Sequence, residues 1–285
     1  MGNENQTQNL LINLFSQCNR IAGYLARQEI DRLLREIKEK DSKRLEPYGF
    51  KIYSQNDEDG IIEEIFKRLK IERGFFVEIG VENGLECNTL YLLHKGWRGF
   101  WIEANQNYVS FIKNKFDYVI RNERLKIVNE YVRIDNLNRL LSQGGVKQEE
   151  FEFLSIDIDG MDIYLLEYLS KKPIVICIEY NSKFPPSLIK KPPYDPNFWW
   201  QGTDYMGASL KAIVEVAEKK GYVLVGTNIT GTNAFFVRKD YWSQEIFPEP
   251  NIFELYNPPR YWLYFDYFRH IGHSPDFGPY VDLMT

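Results

Sequence analysis

The sequence has few cysteines, no long apolar segment and no excess of positive charge. Its three cysteines, Cys18, Cys87 and Cys177, are an odd number and show no Cys-x-x-Cys spacing. This argues against a disulfide framework and against a structural zinc site. No apolar run approaches the length of a membrane span, and the first residues lack the basic region of a signal peptide. We therefore expect a cytoplasmic protein without a membrane span.

The charge balance argues against a nucleic-acid-binding protein. The 285 residues include 35 Lys and Arg against 40 Asp and Glu, which gives a net charge of -5. A protein that binds a nucleic-acid backbone needs a basic surface, so we expect no nucleic-acid partner. Hydrophobic residues make up 44% of the chain and aromatic residues 15%. This is the composition of a globular protein with a generous core and with aromatic side chains available for a pocket.

The chain divides into three predicted segments. Residues 1–45 predict a helical extension, as one long helix or two in tandem, because apolar residues recur at helical spacing from Leu11 to Ile37. This extension either packs on its own domain or forms a homodimer. Residues 46–240 are expected to form the main domain, and residues 241–285 an aromatic-rich extension packed on that domain.

Strand and helix patterns alternate in the main domain. Five continuous apolar strands are predicted at residues 75–79, 99–103, 125–128, 153–157 and 174–179, with helices between them. Such strands are typical of a parallel sheet covered on both faces. Two more strands, 222–225 and 234–237, are joined by a Gly/Thr/Asn turn and predict a hairpin at the sheet edge. The predicted fold is α/β, with a doubly wound, mostly parallel Rossmann-like sheet and an antiparallel edge hairpin.

A glycine turn follows the first predicted strand and is expected to open a helix. Gly80 and Gly84 give it a Gly-x-x-x-Gly spacing, at the place where doubly wound sheets bind nucleotide-like ligands. Glu78 and Glu82 flank this turn. Their charge would repel a diphosphate at a helix N-terminus and would favour cationic ammonium and sulfonium groups, namely those of S-adenosylmethionine. The alternative is a structural glycine turn of the kind found in any α/β protein.

Two polar residues at the ends of the next strands extend this predicted ligand site. Glu103 ends the second strand about 20 residues beyond the glycine turn, where an acidic residue accepts hydrogen bonds from ribose hydroxyls. Asn129 follows the third strand, where it either meets the adenine edge or simply ends the strand.

Acidic residues also end the fourth and fifth strands. Asp157 and Asp159 follow one, Glu179 and Asn181 the other, so they should converge on the ligand crevice. In one interpretation, Asp157 or Asp159 is the general base for an acceptor hydroxyl. In another, Asp157, Glu179 and Asn181, with or without Asp159, hold Mg²⁺, which lowers the pKa of the acceptor. The structural alternative is that one carboxylate caps a helix starting near Asp162 and the others pair with Lys or Arg.

Residues 184–200 are rich in proline and aromatic residues and predict irregular structure. We interpret this segment as a lid over the acceptor, which Tyr194, Trp199 and Trp200 would contact. A proline-stiffened surface loop is the alternative. His273, in the carboxy-terminal segment, is a further candidate for contact with the acceptor.

These motifs together resemble the FkbM-type S-adenosylmethionine-dependent methyltransferases. The resemblance rests on the segments YSQNDEDG, FVEIGVENGLECNT, WIEAN, FLSIDIDGMD and VICIEYN, and it continues through YDP, GASLKA and GTNAFFVR. It covers roughly residues 53–238 and implies a class I methyltransferase fold with methyl transfer to oxygen, commonly on sugar or polyketide hydroxyls. More familiar members have Asp-x-Glu-Gly where this chain has Asp157-x-Asp159-Gly160.

The resemblance also implies roles for individual residues. Glu78, Gly80 and Gly84 would wrap the amino-acid end of the cofactor, and Glu103 would hold its ribose. Ser54 and Gln55 would close over the methionine portion; the alternative is that Ser54 or its neighbour caps the following helix.

The sequence thus predicts an S-adenosylmethionine-dependent methyltransferase. Its expected acceptor is a sugar of a surface glycan or another small hydroxylated or phosphorylated metabolite, methylated by in-line transfer with help from a carboxylate base or Mg²⁺. One alternative is an NAD(P)-dependent oxidoreductase, against which Glu82 and the lack of a third glycine argue. The other is a non-catalytic assembly module, against which the acidic residues at the fourth and fifth strands argue.

Overall fold

The computed structural model describes residues 2–146 and 149–264. A long amino-terminal helix precedes an α/β domain, and a carboxy-terminal segment follows it. The α-helices and strands of the described chain are α1 (Gly2–Lys40), α2 (Glu58–Leu69), β1 (Phe75–Ile79), α3 (Leu90–His94), β2 (Arg98–Glu103), α4 (Gln106–Lys115), α5 (Asp117–Arg121), β3 (Leu125–Asn129), α6 (Leu137–Gly144), β4 (Glu150–Ile156), α7 (Asp162–Tyr168), β5 (Lys172–Glu179), α8 (Leu210–Lys219), β6 (Tyr222–Thr227), β7 (Asn233–Arg238) and α9 (Ile252–Leu255). Two short 3₁₀-helices lie at Glu46–Tyr48 and Tyr261–Leu263.

The seven strands form one sheet in the order β3-β2-β1-β4-β5-β7-β6. The first five strands pair in parallel, whereas β7 runs antiparallel to both β5 and β6. This confirms the predicted doubly wound, mostly parallel sheet with an antiparallel hairpin at its edge. The strand order reverses between β1 and β4, so a crevice forms at their carboxyl ends.

Side chains of the central strands alternate between two hydrophobic cores because successive residues of a strand face opposite sides of the sheet. Val77 and Leu154 pack on one face with α6, α7 and α8, and Phe76 and Phe153 pack on the other with α2 and α3. Both faces of the sheet are therefore covered by packed helices, which explains why the strand sequences are continuously apolar. Cys177, unpaired and buried, belongs to the second core.

The glycine turn does not open directly into a helix as the sequence suggested. Residues 80–89 form turns and bends, and α3 begins only at Leu90. The Glu78 side chain accounts for this, because its carboxylate accepts hydrogen bonds from the amides of Asn88 and Thr89. These two main-chain amides directly precede the first residue of α3, and the Glu78 carboxylate satisfies them in place of intrahelical partners.

Helix α1 is a single continuous helix of 39 residues, and its two halves differ in their surroundings. In the second half, Ala26 and Leu33 pack against Ile229 and Leu263. In the first half, the large apolar side chains are 50–64% exposed; they are Leu10, Leu11, Ile12, Leu14, Phe15, Ile21, Tyr24 and Leu25. Among the residues that the structure describes, the second half packs on the rest of the chain and the first half is largely exposed.

The carboxy-terminal segment contributes to the cores as far as it is described. Phe247 packs in the core that contains α2, and Leu255 packs in the other. The candidate His273 lies outside the described residues. Within residues 2–146 and 149–264, none of the helices is both long and apolar enough to cross a bilayer.

Candidate active site

A cavity of about 440 Å³ opens where β1, β2, β4 and β5 end, at the reversal of strand order. Its volume lies in the range of about 300–1,000 Å³ that is usual for small-molecule sites. The described residues that line it include no Lys, Arg or His. They do include eight acidic residues, namely Glu78, Glu82, Glu86, Glu103, Glu130, Asp157, Asp159 and Glu179. The cavity lining is therefore acidic.

Gly80 lets the ends of β1 and β4 approach each other at the cavity wall. Its φ is +81°, and an added Cβ would lie 1.8 Å from the main-chain oxygen of Asp157. Gly84, with a φ of +73°, lies behind the wall against the Trp101 ring and does not line the cavity. Gly80 is thus required for the shape of the site, and Gly84 for packing beneath it.

The Glu78 side chain holds the glycine loop from within the cavity wall. It is buried and accepts from the Asn88 amide at 2.8 Å, the Thr89 amide at 3.0 Å and the Thr89 hydroxyl. Burial raises the pKa of Glu78 to about 7, although the Thr89 and Asn88 hydrogen bonds oppose the shift.

The Glu103 carboxylate accepts hydrogen bonds from the main-chain amides of the glycine turn, which an anionic ligand would otherwise use. Its Oε2 accepts from the amides of Val81 at 3.2 Å and Glu82 at 2.8 Å, and its Oε1 accepts from the Asn105 amide at 2.7 Å. A phosphate bound at a glycine turn needs free amides of this kind. The turn therefore presents a carboxylate to the cavity in place of an anion-binding nest.

Two predicted cofactor contacts lie away from the cavity. The side-chain amide of Asn129 donates to the main-chain oxygens of Glu103 at 2.9 Å and Ala104 at 2.8 Å, so Asn129 serves to end strand β3. Residues 130–132 line the cavity instead of Asn129. The Ser54 hydroxyl is buried and accepts from the Asp59 amide at 3.1 Å, so it satisfies an amide in the first turn of α2, although the N-cap residue itself is Asp57. The adjacent Gln55 does line the cavity.

Three carboxylates form a compact cluster at the ends of β4 and β5. Asp157, Asp159 and Glu179 each offer one oxygen, and these oxygens all lie within 4.8 Å of one another. Burial, followed by repulsion from Asp159, raises the pKa of Asp157 well above its usual value; burial, followed by repulsion from Asp157, does the same for Glu179. Burial also raises the pKa of Asp159.

The capping role that was the structural alternative for the acidic residues after β4 belongs to Asp162, not to a residue of the cluster. Asp162, at the start of α7, accepts from the Ile158 amide and the Gly160 amide, both at 2.9 Å, and so holds the loop after β4. Over the described ranges, no salt bridge joins the three clustered carboxylates to a Lys or Arg. The Glu179 Oε2 is buried, and the described part of the chain supplies no hydrogen-bond partner for it. This cluster is thus left to interact with a ligand.

The predicted ligand Asn181 is not part of this cluster. Its side-chain nitrogen donates to the Asp204 main-chain oxygen at 2.8 Å, its side-chain oxygen accepts from the Lys183 amide at 3.1 Å, and it does not line the cavity. Because its amide orders the loop after β5, Asn181 does not join the group of oxygens that could hold a metal ion, whereas Asp159, the optional member of the predicted set, does.

Two of the four non-glycine residues with a positive φ in the described chain are cavity carboxylates. Glu82 has a φ of +48° and Asp159 a φ of +58°, in the left-handed region that residues with a Cβ seldom adopt. Such conformations cost about 1–3 kcal/mol each and tend to occur at functional sites. Both strained residues line the cavity.

Aromatic residues of the irregular segment 184–200 border the cavity. Phe198, Trp199 and Trp200 line it, and the Trp199 side chain is 68% exposed. The Tyr131 hydroxyl donates to the Phe198 main-chain oxygen at 2.5 Å and ties the segment to the chain after β3. Tyr194 instead packs its ring on Tyr164, with 5.1 Å between the ring centroids, and does not line the cavity.

Sequence reasoning missed several cavity residues. Tyr108, Glu130, Tyr131 and Asn233 line the cavity but follow no chemical motif. Glu130 and Tyr131 could have been identified from their position directly after β3, where residues reach the ligand crevice. Asn233 lies in the segment GTNAFFVR, whose resemblance indicated a family but no role.

The strand order and the single reversed strand are those of the class I methyltransferase fold, which confirms the predicted fold class. No protein-family model matches the sequence, and no curated protein matches it significantly. Solved structures with a similar fold include an O-methyltransferase family protein from Burkholderia thailandensis, at 10% identity and a TM-score of 0.42 over 62% of this chain and 54% of that chain. The present chain thus spans about half the length of that protein.

Two further structures illustrate the similarity. An O-methyltransferase from Bacillus cereus in complex with SAH is 16% identical, with a TM-score of 0.40 over 74% of this chain and 88% of that one. An S-adenosylmethionine-dependent methyltransferase from Clostridium acetobutylicum is 10% identical, with a TM-score of 0.39 over 64% and 90%. Similarity at this level does not identify an activity, so the function must be inferred from the site.

Proposed function

We propose that the protein is an S-adenosylmethionine-dependent O-methyltransferase. The observation that carries the proposal is the cavity at the reversal of strand order, whose described lining has eight acidic residues and no basic one. A cavity of one sign concentrates ligands of the opposite charge. S-adenosylmethionine carries a sulfonium and an ammonium group beside a nucleoside, which suits an acidic cavity in a sheet that binds nucleotide-like ligands.

The cavity residues suit the parts of this cofactor. Glu103 keeps acceptor capacity for ribose hydroxyls, because each carboxylate oxygen has two lone pairs. Ala104, Tyr108 and Val132 provide an apolar and aromatic surface for the adenine ring. Gly80 brings the backbone close to the amino-acid end, whose ammonium group the nearby carboxylates would attract.

In the proposed reaction, the carboxylates after β4 take a proton from the acceptor. When bound, S-adenosylmethionine supplies an electrophilic methyl group. Asp157 and Asp159 have raised pKa values, which make a carboxylate a better general base near neutral pH. Holding acceptor and cofactor in one cavity supplies much of the rate enhancement. The aromatic residues Trp199 and Trp200 at the cavity edge would exclude water and position the acceptor.

A divalent cation fits the cluster formed by Asp157, Asp159 and Glu179. Hard cations such as Mg²⁺ prefer oxygen ligands, and the buried Glu179 Oε2 has no partner in the described chain. Three carboxylates in close proximity repel one another, and a cation would relieve that repulsion. The cation would lower the pKa of an acceptor hydroxyl and hold it in place. We therefore propose that Mg²⁺ assists deprotonation at this site.

The acceptor that fits best is a small hydroxylated molecule, with a sugar of a surface-glycan precursor as the favoured class. Aromatic faces such as that of the exposed Trp199 suit sugar rings. The absence of Lys, Arg and His from the described lining disfavours a phosphorylated acceptor. The same lining, together with the amides engaged by Glu103, disfavours the dinucleotide of an oxidoreductase.

The first half of α1 is the surface through which we propose that the protein forms a homodimer. Leu11, Leu14, Ile21 and Leu25, which are 58–61% exposed, form with Cys18 a spacing of three and four residues. This is the a/d pattern of a coiled coil. Residues 7–25 contain one charged residue, Arg20, so the polar face lacks the basic side chains of a helix that binds an anionic membrane. The pattern therefore favours a second copy of α1 as the partner.

Light scattering after size exclusion tests the dimer. The unmodified protein should have twice the mass of one chain, and Leu14→Glu should reduce it to one. Asn13→Glu is the matched control, since it adds the same charge beside the seam and should leave the dimer intact. A monomeric unmodified protein, or equal effects of both variants, would contradict the dimer.

Release of S-adenosylhomocysteine tests the enzymatic proposal. The purified protein is incubated with S-adenosylmethionine and panels of sugars, nucleotide-sugars and small hydroxylated metabolites. We expect acceptor-dependent release that Asp157→Asn reduces strongly, while Asp135→Asn, outside the cavity, does not. If EDTA leaves turnover intact, the carboxylate alone is the base; if no acceptor gives turnover while NADH binds, the proposal fails.

A further inference from the structure

Glu179 and Asn233 both line the cavity, and each has a buried side-chain oxygen that no described residue satisfies. They lie directly opposite each other in the antiparallel pair of β5 and β7, so their side chains lie on the same face of the sheet. Both line the cavity, and they are only 7% and 2% exposed. The Oε2 of Glu179 and the Oδ1 of Asn233 are buried, and residues 2–146 and 149–264 offer neither of them a hydrogen-bond donor. Leaving a buried acceptor without a partner is unfavourable, so two such oxygens on opposed residues indicate a ligand that satisfies both.

The orientation of the Asn233 amide is set by Glu58. The Oε1 of Glu58, at the start of α2, accepts from the side-chain nitrogens of Asn56 at 3.1 Å, Asn228 at 2.6 Å and Asn233 at 3.1 Å. Because this carboxylate oxygen accepts hydrogen bonds, the Asn233 nitrogen must face it, and the Asn233 oxygen must face away from it. Glu58 is fully buried and so fixes this orientation within the core.

A hard divalent cation is the ligand that satisfies this group of oxygens. Asp157, Asp159 and Glu179 supply carboxylate oxygens within 4.8 Å of one another, and Asn233 adds an amide oxygen beside Glu179. Amide and carboxylate oxygens together are usual ligands of Mg²⁺, Mn²⁺ and Ca²⁺. A neutral amide adds a ligand without adding to the mutual repulsion of the carboxylates.

We propose that Asn233 is the fourth protein ligand of the divalent cation held by Asp157, Asp159 and Glu179, and that Glu58 is the positioning residue that aims its oxygen. The inference rests on the cation site of the proposed function but does not require methyl transfer. Four protein ligands leave about two positions of a six-coordinate cation for the acceptor oxygen or water. The segment YSQNDEDG, which contains Glu58, thereby acts on the site through β7.

Binding of Mn²⁺ to the intact protein, followed by electron paramagnetic resonance of the free ion and without any cofactor, tests this inference. Asn233→Ala should weaken Mn²⁺ binding about tenfold or more, the loss seen even for groups that only support a ligand. Asn138→Ala is the matched control, because it removes an amide that bonds Tyr168 and Ser170 away from the cavity and should leave the affinity unchanged. Equal affinities of the unmodified protein and Asn233→Ala, or no binding by the unmodified protein, would overturn the inference.

A measurement on the unmodified protein covers the case in which Asn233→Ala does not fold. Crystals containing Mn²⁺ should show an anomalous peak within about 2.0–2.6 Å of the Asn233 Oδ1 as well as of the carboxylates. An ion bound to Glu179 but lying beyond contact with Asn233 would overturn the inference. Mn²⁺ binding without methyl transfer would instead leave the cation site standing and count against the proposed function alone.

Discussion

Replacement of Gly80 by alanine tests how closely β1 and β4 approach each other at the site. An added Cβ would lie 1.8 Å from the main-chain oxygen of Asp157, far inside van der Waals contact. Main-chain atoms cannot relieve this overlap by changing a rotamer, so the end of β4 must move. Alanine must also adopt the φ of +81°, in the left-handed region, at a cost of about 1–2 kcal/mol.

Gly221 offers a matched control for this variant. Its φ is +84°, but an added Cβ would meet nothing within 4 Å. Gly221→Ala therefore carries the same backbone cost, and the same entropic change in the unfolded chain, without the overlap. Overpacking typically costs about 1–3 kcal/mol, and the short contact at Gly80 places it at the upper end of that range. We expect Gly80→Ala to be about 3 kcal/mol less stable than Gly221→Ala.

Urea unfolding of both variants measures this difference, and calorimetry follows binding of S-adenosylmethionine. Movement of β4 would displace Asp157, and a displacement of about 1 Å can reduce turnover about 100-fold. Gly221→Ala should bind and turn over like the unmodified protein. If the two variants differ in stability by less than about 1 kcal/mol, or if Gly80→Ala binds the cofactor normally, the account of this contact is wrong.

Three other predictions concern pH and the acceptor side of the cavity. In urea titrations, the unfolding free energy of the ligand-free protein should fall as pH rises from about 4 to 7. Burial raises the pKa of Asp162 to about 7, so the folded state keeps a proton that the unfolded chain loses at lower pH. The raised pKa of Glu179 acts in the same direction, and an unfolding free energy that rises over this range would contradict the argument. Trp199→Ala should raise the KM of the acceptor several-fold while leaving the melting temperature nearly unchanged, since this side chain is 68% exposed; an unchanged KM would remove it from the site. Gly160→Ala should also raise that KM but not the Kd of S-adenosylmethionine, because its Cβ would lie 2.3 Å from the Phe198 ring and displace the aromatic segment; a loss of cofactor binding instead would contradict this.

Most of the fold could be predicted because its strands are buried on both faces. The strand at 75–79 was predicted residue for residue, and the strand at 153–157 within a few residues of β4 (Glu150–Ile156). Continuous apolar runs identify such strands without any knowledge of their neighbours. The start of α3 was not predictable in this way, because it depends on the Glu78 carboxylate, which bonds amides ten and eleven residues later in the chain.

The candidate site could be predicted only in part. Glu103, Asp157 and Glu179 were identified because parallel strands end at one edge of a sheet. Asn181 was placed with them by the same rule, but its amide bonds Asp204 and Lys183. Asn233 was missed because it begins an antiparallel strand, and its opposition to Glu179 is visible only once β5 and β7 are paired.

The first half of α1 shows a different limit of sequence reasoning. Its apolar spacing predicted an amphipathic helix, but the same spacing serves a helix that packs on its own domain and one that packs on a second copy. Exposure in the structure separates the two halves: Leu33 packs on the body of the protein, whereas Leu14 is 59% exposed. No periodicity could have located that change along the helix.

Calorimetric titration of the folded protein with S-adenosylmethionine, S-adenosylhomocysteine and NADH tests the central claim most directly. The acidic cavity predicts binding of both adenosyl ligands at one site per chain, with the cationic one bound more tightly at low salt, and no binding of NADH. Binding of NADH with neither adenosyl ligand bound would contradict the account.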